Sequence, residues 1–142
     1  MINCPLCNIK ENDFVWSDQS FALINVSNEI FPCYLRLIYR FHVAEVTDLE
    51  PHDRIRMWHL LETIENCIRE THAPNKINWA QFGNQVPHLH WHLIARWHDD
   101  DRFPASAWEP SVRYVPNELT RMRLALTERL LTHLPEILDT VD

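Results

Sequence analysis

Apolar and polar positions alternate with two different periods along the 142-residue chain, and each change of period marks an element. Residues 21–26 carry the bulk of a strand, and residues 34–40 carry it again in Tyr34, Leu35, Leu37, Ile38 and Tyr39. Asn28 and Pro32 separate the two. Over residues 51–71 the step lengthens. Ile55, Trp58, Leu61, Ile64 and Ile68 recur every three or four positions, the apolar stripe of one long helix. Pro51 suits its first turn and Pro74 lies just past its end. Strand patterns return at 76–81 and 88–95, divided by a break that holds Gly83 and Pro87. A loop punctuated by Pro104, Pro110 and Pro116 leads to a helix over 117–134. Leu119, Met122, Leu126 and Leu130 share its apolar face, and Pro135 is its expected stop. The order strand, strand, helix, strand, strand, helix predicts an α+β domain with an antiparallel sheet.

Composition narrows the partners. A chain of this length fits one domain, and 46% hydrophobic with 23% charged residues is an ordinary globular mix. The net charge of −7 argues against nucleic acid or an anionic membrane as the main partner, since either selects a basic face. A single small anion remains compatible, because a few backbone N–H groups and one or two cations can hold it. No apolar run approaches the ~20 residues that span a bilayer, and the N-terminus lacks the pattern of a secretory signal. The cytoplasm is therefore the expected compartment. Cys4, Cys7, Cys33 and Cys67 then read as thiols or metal ligands before disulfides.

The segment His88-Leu89-His90-Trp91-His92-Leu93-Ile94 carries the chemistry. On a strand it projects three imidazoles from one face and Leu89, Trp91 and Leu93 from the other. Imidazole takes both acid and base forms near neutral pH and can itself act as a nucleophile. Histidines two apart on a strand can also chelate one zinc ion, so a metal-dependent hydrolase is a second reading. Gly83 is the chain's one glycine and lies five residues before the triad. Gly83-Asn84-Gln85-Val86 is expected to form a tight loop beside the histidines, because glycine serves where φ is positive or a ligand nears the backbone. Cys4 and Cys7 have the spacing of half a zinc site, whereas Cys33 and Cys67 read as buried apolar residues.

The run from Gly83 to Ile94, with three alternating histidines and a Gly-polar-x-Val lead-in, resembles the signature of the histidine-triad (HIT) superfamily of nucleotide hydrolases and transferases. The resemblance spans roughly residues 1–100. It implies a single HIT-like domain over 1–142, with a lead-in (1–13), a core (14–100) and a C-terminal loop and helix (101–142). About five antiparallel strands, one long central helix and a C-terminal helix are implied. His90 corresponds to the histidine that attacks the α-phosphorus and becomes covalently nucleotidylated, and His92 to one that hydrogen-bonds phosphate oxygens. Gly83, Asn84, Gln85, Asn78 and Asn25 fall at nucleotide-binding positions. Asn25 stands where relatives often carry aspartate, and Asn78 lies five residues before Gly83 where many relatives have six. The resemblance further implies a structural zinc ion on Cys4, Cys7, His42 and His88, a small purine nucleotide as substrate, and a homodimer. A nucleotide-binding or scaffold protein with little turnover is the alternative from another class. Residues 97–108, with Asp99, Asp100 and Asp101, are expected to border the cleft and to disfavour long polyphosphate tails.

Overall fold

The computed structural model describes residues 3–142. Five strands form one antiparallel sheet: β1 (Trp16–Ser17), β2 (Phe21–Asn25), β3 (Tyr34–Tyr39), β4 (Lys76–Ala80) and β5 (His90–Arg96), in the order β1-β2-β3-β5-β4. β5 is internal, gripped by β3 on one side and β4 on the other. A side chain on it is therefore fixed by two hydrogen-bonded ladders. Two helices, α1 (Pro51–His72) and α2 (Asn117–Leu138), pack against each other and cover one face. No helix among the described residues is long and apolar enough to cross a membrane. The α+β reading and the five antiparallel strands hold. β1, only two residues long, carried too little pattern to be read from sequence.

Register divides the sheet. Leu37 pairs with Trp91 and Leu35 with Leu93, which puts these side chains on the helix-covered face with Phe21, Leu23 and Ile77. Arg36 pairs with His92 and Ile38 with His90, which puts the histidines on the opposite face. Met57, Leu60, Leu61, Ile64, Cys67 and Ile68 form the buried stripe of α1. The expected stripe was partly out of phase, because Ile55 and Trp58 are exposed while Met57 and Leu60 take the core positions.

α2 departs further from its pattern. Thr120, Arg123, Thr127, Leu130, Leu134 and Leu138 are buried, whereas Met122 is exposed and Leu119 and Leu126 are half-buried. Polar residues occupy half of the buried face and find partners there. Thr127 donates to the Pro32 carbonyl at 2.5 Å, and Arg123 stacks on Trp97 at 4.0 Å. Pro135 does not stop the helix. It sits inside the last turn, its carbonyl accepts from Asp139 N–H, and the burial of Leu134 and Leu138 rewards the extra turn.

Candidate active site and metal centre

The three histidines sit in two environments. β5 begins at His90, so His88 precedes the regular strand and is fully buried. Its Nε2 lies 2.6 Å from the Tyr39 carbonyl. A carbonyl only accepts, so Nε2 carries the proton and Nδ1 keeps its lone pair. That lone pair faces Cys4 Sγ at 3.5 Å, Cys7 Sγ at 3.4 Å and His42 Nδ1 at 3.2 Å, and Cys7 Sγ lies 3.3 Å from His42 Nδ1. All four ligand atoms fall within 4.8 Å of one another. A tetrahedral zinc ion with bonds of about 2.0–2.3 Å spaces its ligands about 3.3–3.8 Å apart, so the donor set and its spacing fit that ion. The structure thus brings Cys4, Cys7, His42 and His88 together as expected. Among the described residues this is the only group of three or more such ligands gathered around one point.

His90 and His92 face a cleft of about 480 Å³ with only 8% and 6% of their surface exposed. His90 Nδ1 lies 2.6 Å from the His88 carbonyl, and by the same argument its proton is on Nδ1. Nε2 is left with the lone pair, the form a nucleophile needs. Burial, and the Arg36 charge nearby, lower the His90 pKa against the pull of the His88 carbonyl, which favours the neutral ring. His92 Nδ1 meets the Tyr34 hydroxyl at 2.5 Å, and Arg36 Nη2 donates to that same oxygen at 3.3 Å. The phenol oxygen accepts from the guanidinium and its own proton is free to go to His92 Nδ1, the arrangement in which His92 presents Nε2–H as a donor. Burial, with Arg36 and His90 adding, pushes its pKa down to about 4. The two rings lie 5.0 Å apart, close to perpendicular.

Gly83 adopts φ +69°, the left-handed conformation that glycine tolerates best, and the loop it opens brings Asn84 and Gln85 to the cleft wall. Space is not what requires glycine here, since an added Cβ would meet nothing closer than 3.7 Å. Phe82 and Trp108 form the rim. They pack edge to face at 5.0 Å, and Trp108 lies 5.2 Å from the His92 ring. Asn78 and Asn25 are not among the lining residues. Asn78 lies on the histidine face, where its Oδ1 accepts from Arg96 at 2.9 Å. Asn25 is exposed at the end of β2, and its Oδ1 accepts from Ser27 N–H.

The 97–108 loop reaches the cleft through Trp108, but its acids do not charge the rim. Asp99 pairs with Arg123, Asp100 with Arg96, and Asp101 with Arg102. Arg96 and Asp100 are 2% and 4% exposed, and the guanidinium also donates to Asn78 and the Ala105 carbonyl. That hub ties the loop that carries Trp108 to the sheet. Sequence reasoning passed over Tyr34, Arg36 and Phe82. Arg36 did leave a signal, as the one charge in an otherwise uncharged strand. A larger recess of about 660 Å³ lies away from the histidines, between the β2–β3 turn and the start of α2. It mixes carboxylates (Glu29, Asp101) with Arg113 and Arg121.

The model of the HIT domain matches residues 8–99. No curated protein matches the chain significantly. Among solved structures, a histidine triad protein from Sinorhizobium meliloti is 22% identical, covering 91% of this chain and 98% of its own, with a TM-score of 0.67. A zinc-bound histidine triad family protein from Mycobacterium smegmatis is 21% identical over 92% of this chain and 97% of its own, at TM-score 0.55. The diadenosine triphosphate hydrolase of Plasmodium falciparum is 14% identical over 89% and 81%, at 0.59. At these identities the structures establish the fold alone. The match of the domain model over more than half of the chain establishes the family: this chain belongs to the HIT domain family of histidine-triad proteins.

Proposed function

We propose that the protein is a nucleotide phosphate-bond hydrolase, or nucleotidyl transferase, that works through a covalent nucleotidyl-His90 intermediate. The tautomer of His90 carries this reading. A backbone carbonyl holds the proton on Nδ1 and leaves the Nε2 lone pair facing a cleft that also offers a donor imidazole. Nε2 forms a bond to the α-phosphorus as the bond to the leaving group breaks and its electron pair departs with that group. His92 Nε2–H and the carboxamides of Asn84 and Gln85 stabilise the oxygens of the phosphoryl group in transit. Water or another acceptor then attacks phosphorus, and the N–P bond returns its pair to Nε2. Dinucleoside polyphosphates and nucleoside phosphoramidates both satisfy this scheme, and a diadenosine triphosphate hydrolase shares the fold.

Asn25, exposed at the end of β2, is the candidate for a purine nucleotide's ribose hydroxyl. Asn78, held by Arg96, is the candidate to support the phosphate side of the cleft. Zinc on Cys4, Cys7, His42 and His88 would have a structural role, supplying a closed four-ligand anchor with no open position for catalytic water. Its ligand His88 offers the carbonyl that sets the His90 tautomer. A homodimer and a cytoplasmic location complete the reading. β4 is an edge strand, and half-exposed Trp58 extends an aromatic cluster through Trp91 to Trp79 on it. Light scattering tests the dimer.

Mass spectrometry of protein mixed with nucleotide substrate should show a nucleotidyl adduct that maps to His90. His90→Ala should lose the adduct and at least about 1000-fold in turnover, with nucleotide affinity within about tenfold. Binding without any adduct in the wild type would leave a nucleotide-binding protein instead.

A further inference from the structure

The cleft holds a cation with no counter-charge. Arg36 is half-buried on β3 and is the only formally charged side chain lining the cleft. Arg40, Arg56, Arg96, Arg102 and Arg123 each have a carboxylate partner; Arg36, like Arg54, Arg69, Arg113, Arg121 and Arg129, has none among the described residues, and of these six only Arg36 lines the cleft. Its Nε is buried without a hydrogen-bond partner, and Nη2 reaches only the Tyr34 hydroxyl. A chain with 20 acidic and 13 basic residues does not lack carboxylates to offer. A guanidinium drawn partly out of water and left unpaired is costly in the empty protein. The cost is relieved when an anion binds, and the planar fork suits phosphate. The acids of residues 99–101, which sequence reasoning set against polyphosphates, are all engaged by other arginines.

Position narrows the role. Arg36 stands in register with His92, one step along the sheet from the nucleophile, whose partner on β3 is the apolar Ile38. The α-phosphoryl group already has His90, His92 and the Asn84–Gln85 wall. We propose that Arg36 is the specificity-determining residue of the cleft: it binds the phosphate that leaves when His90 attacks, and so selects nucleotides with an anionic phosphate leaving group over those that release an amine.

This rests on the covalent reading above, and the step balances without a proton from arginine. The His90 Nε2–P bond forms, the P–O bond to the bridging oxygen breaks, and the electron pair stays on the departing phosphate, whose added charge Arg36 neutralises. An amine leaving group must instead acquire a proton on nitrogen, and a neighbouring guanidinium does nothing for it. Tyr34 links the two roles, since its hydroxyl accepts from Arg36 and orients His92.

The experiment compares kcat/KM on diadenosine triphosphate and adenosine 5′-phosphoramidate, which share the nucleoside and α-phosphate and differ in the leaving group. Arg36→Gln should lower kcat/KM on the triphosphate about 100-fold and on the phosphoramidate less than about threefold. Inorganic pyrophosphate binding, measured by calorimetry, should weaken at least tenfold. Arg36→Lys should recover part of both losses, and it replaces Arg36→Gln if that variant does not fold. Equal losses on the two substrates would place Arg36 on the α-phosphate and overturn the proposal, as would unchanged pyrophosphate affinity. Pyrophosphate binding that depends on Arg36, with no adduct from either substrate, would uphold the anion site and sink the covalent reading alone.

Discussion

β5 is fastened at both ends by polar clusters built on opposite principles. Just before its start, His88 joins Cys4, Cys7 and His42, four ligand atoms from three separate stretches of chain gathered around one point. At its end, Arg96 takes both carboxylate oxygens of Asp100, at 2.8 and 3.1 Å, and also donates to Asn78 and the Ala105 carbonyl. The first cluster gathers four groups that could ligate a cation. The second neutralises itself. Between them lie His90 and His92, each oriented by a single hydrogen bond at Nδ1. The carbonyl that holds the His90 proton belongs to His88 of the first cluster, and the second cluster holds the Ala105 carbonyl in the loop that carries Trp108. The two ends therefore act on different parts of the site: one holds the proton of His90, and the other anchors the loop that carries Trp108.

Breaking the first end should have the larger effect on stability. Protein purified without added metal should carry about one zinc per chain by elemental analysis, and Cys7→Ser should lose it. Structural zinc sites contribute about 10–16 kcal/mol in peptides that have no other core. Here a hydrophobic core remains, so a loss of about 5 kcal/mol, roughly 10–20 °C in Tm, is the expectation. Activity should fall only as far as His90 loses its register. Metal-free protein with both thiols titrating freely in the folded state would defeat the prediction.

Breaking the second end removes one member of a buried ion pair. Asp100→Ala strands the Arg96 guanidinium and three backbone N–H groups, those of Trp97, Arg102 and Phe103, that the carboxylate now accepts from. Such losses cost about 3–4 kcal/mol, read as a lower denaturant midpoint. Burial tends to raise the Asp100 pKa, but the Arg96 and backbone hydrogen bonds outweigh it and hold the carboxyl below its ordinary value. Its contribution is thus present above the usual carboxylate pKa and fades only as pH falls through the lower folded value. A midpoint unchanged by Asp100→Ala would show that the loop is held by other means.

The two ends also differ in how well they can be read from sequence. Metal chemistry permits few residue types, so a Cys-x-x-Cys pair and a row of alternate histidines can be picked out locally, while His42 joins them only through the resemblance to the HIT superfamily. The hub is made of ordinary residues. Nothing local marks Arg96 and Asp100 as buried, because their partners on β4 and at Ala105 are supplied by the tertiary fold. The same holds on α2, where counting apolar residues missed a face built partly from Thr120, Arg123 and Thr127. Arg36 fell between these cases. Its strand was read correctly and its charge was visible, but its role depends on which carboxylates the fold sends elsewhere.

A gentler perturbation separates the ends by pH. His72, at the last turn of α1, is buried against the hub side of the molecule. Its Nε2 meets Thr127 Oγ1 at 2.9 Å and its ring lies 6.2 Å from Trp97. Thr127 donates its own proton to the Pro32 carbonyl, so it accepts from His72 Nε2–H. Arg123 on α2, itself paired with Asp99, faces the same pocket and disfavours a second positive charge. Burial foremost, with the Arg123 charge adding, lowers the His72 pKa from 6.5 to about 4. The unfolded chain then binds a proton between pH 6.5 and 4 that the folded chain refuses. Stability is therefore full above pH 6.5, declines as pH falls, and levels off below about 4. His72 alone should account for about 1–2 kcal/mol of the loss between pH 7 and 5. His72→Gln can still donate to Thr127 but cannot titrate. Its melting temperature should fall less than the wild type's over that interval, while any zinc lost to acid should leave both proteins at the same pH. Parallel curves for the two proteins would mean that His72 charges as readily in the folded state as in the unfolded one.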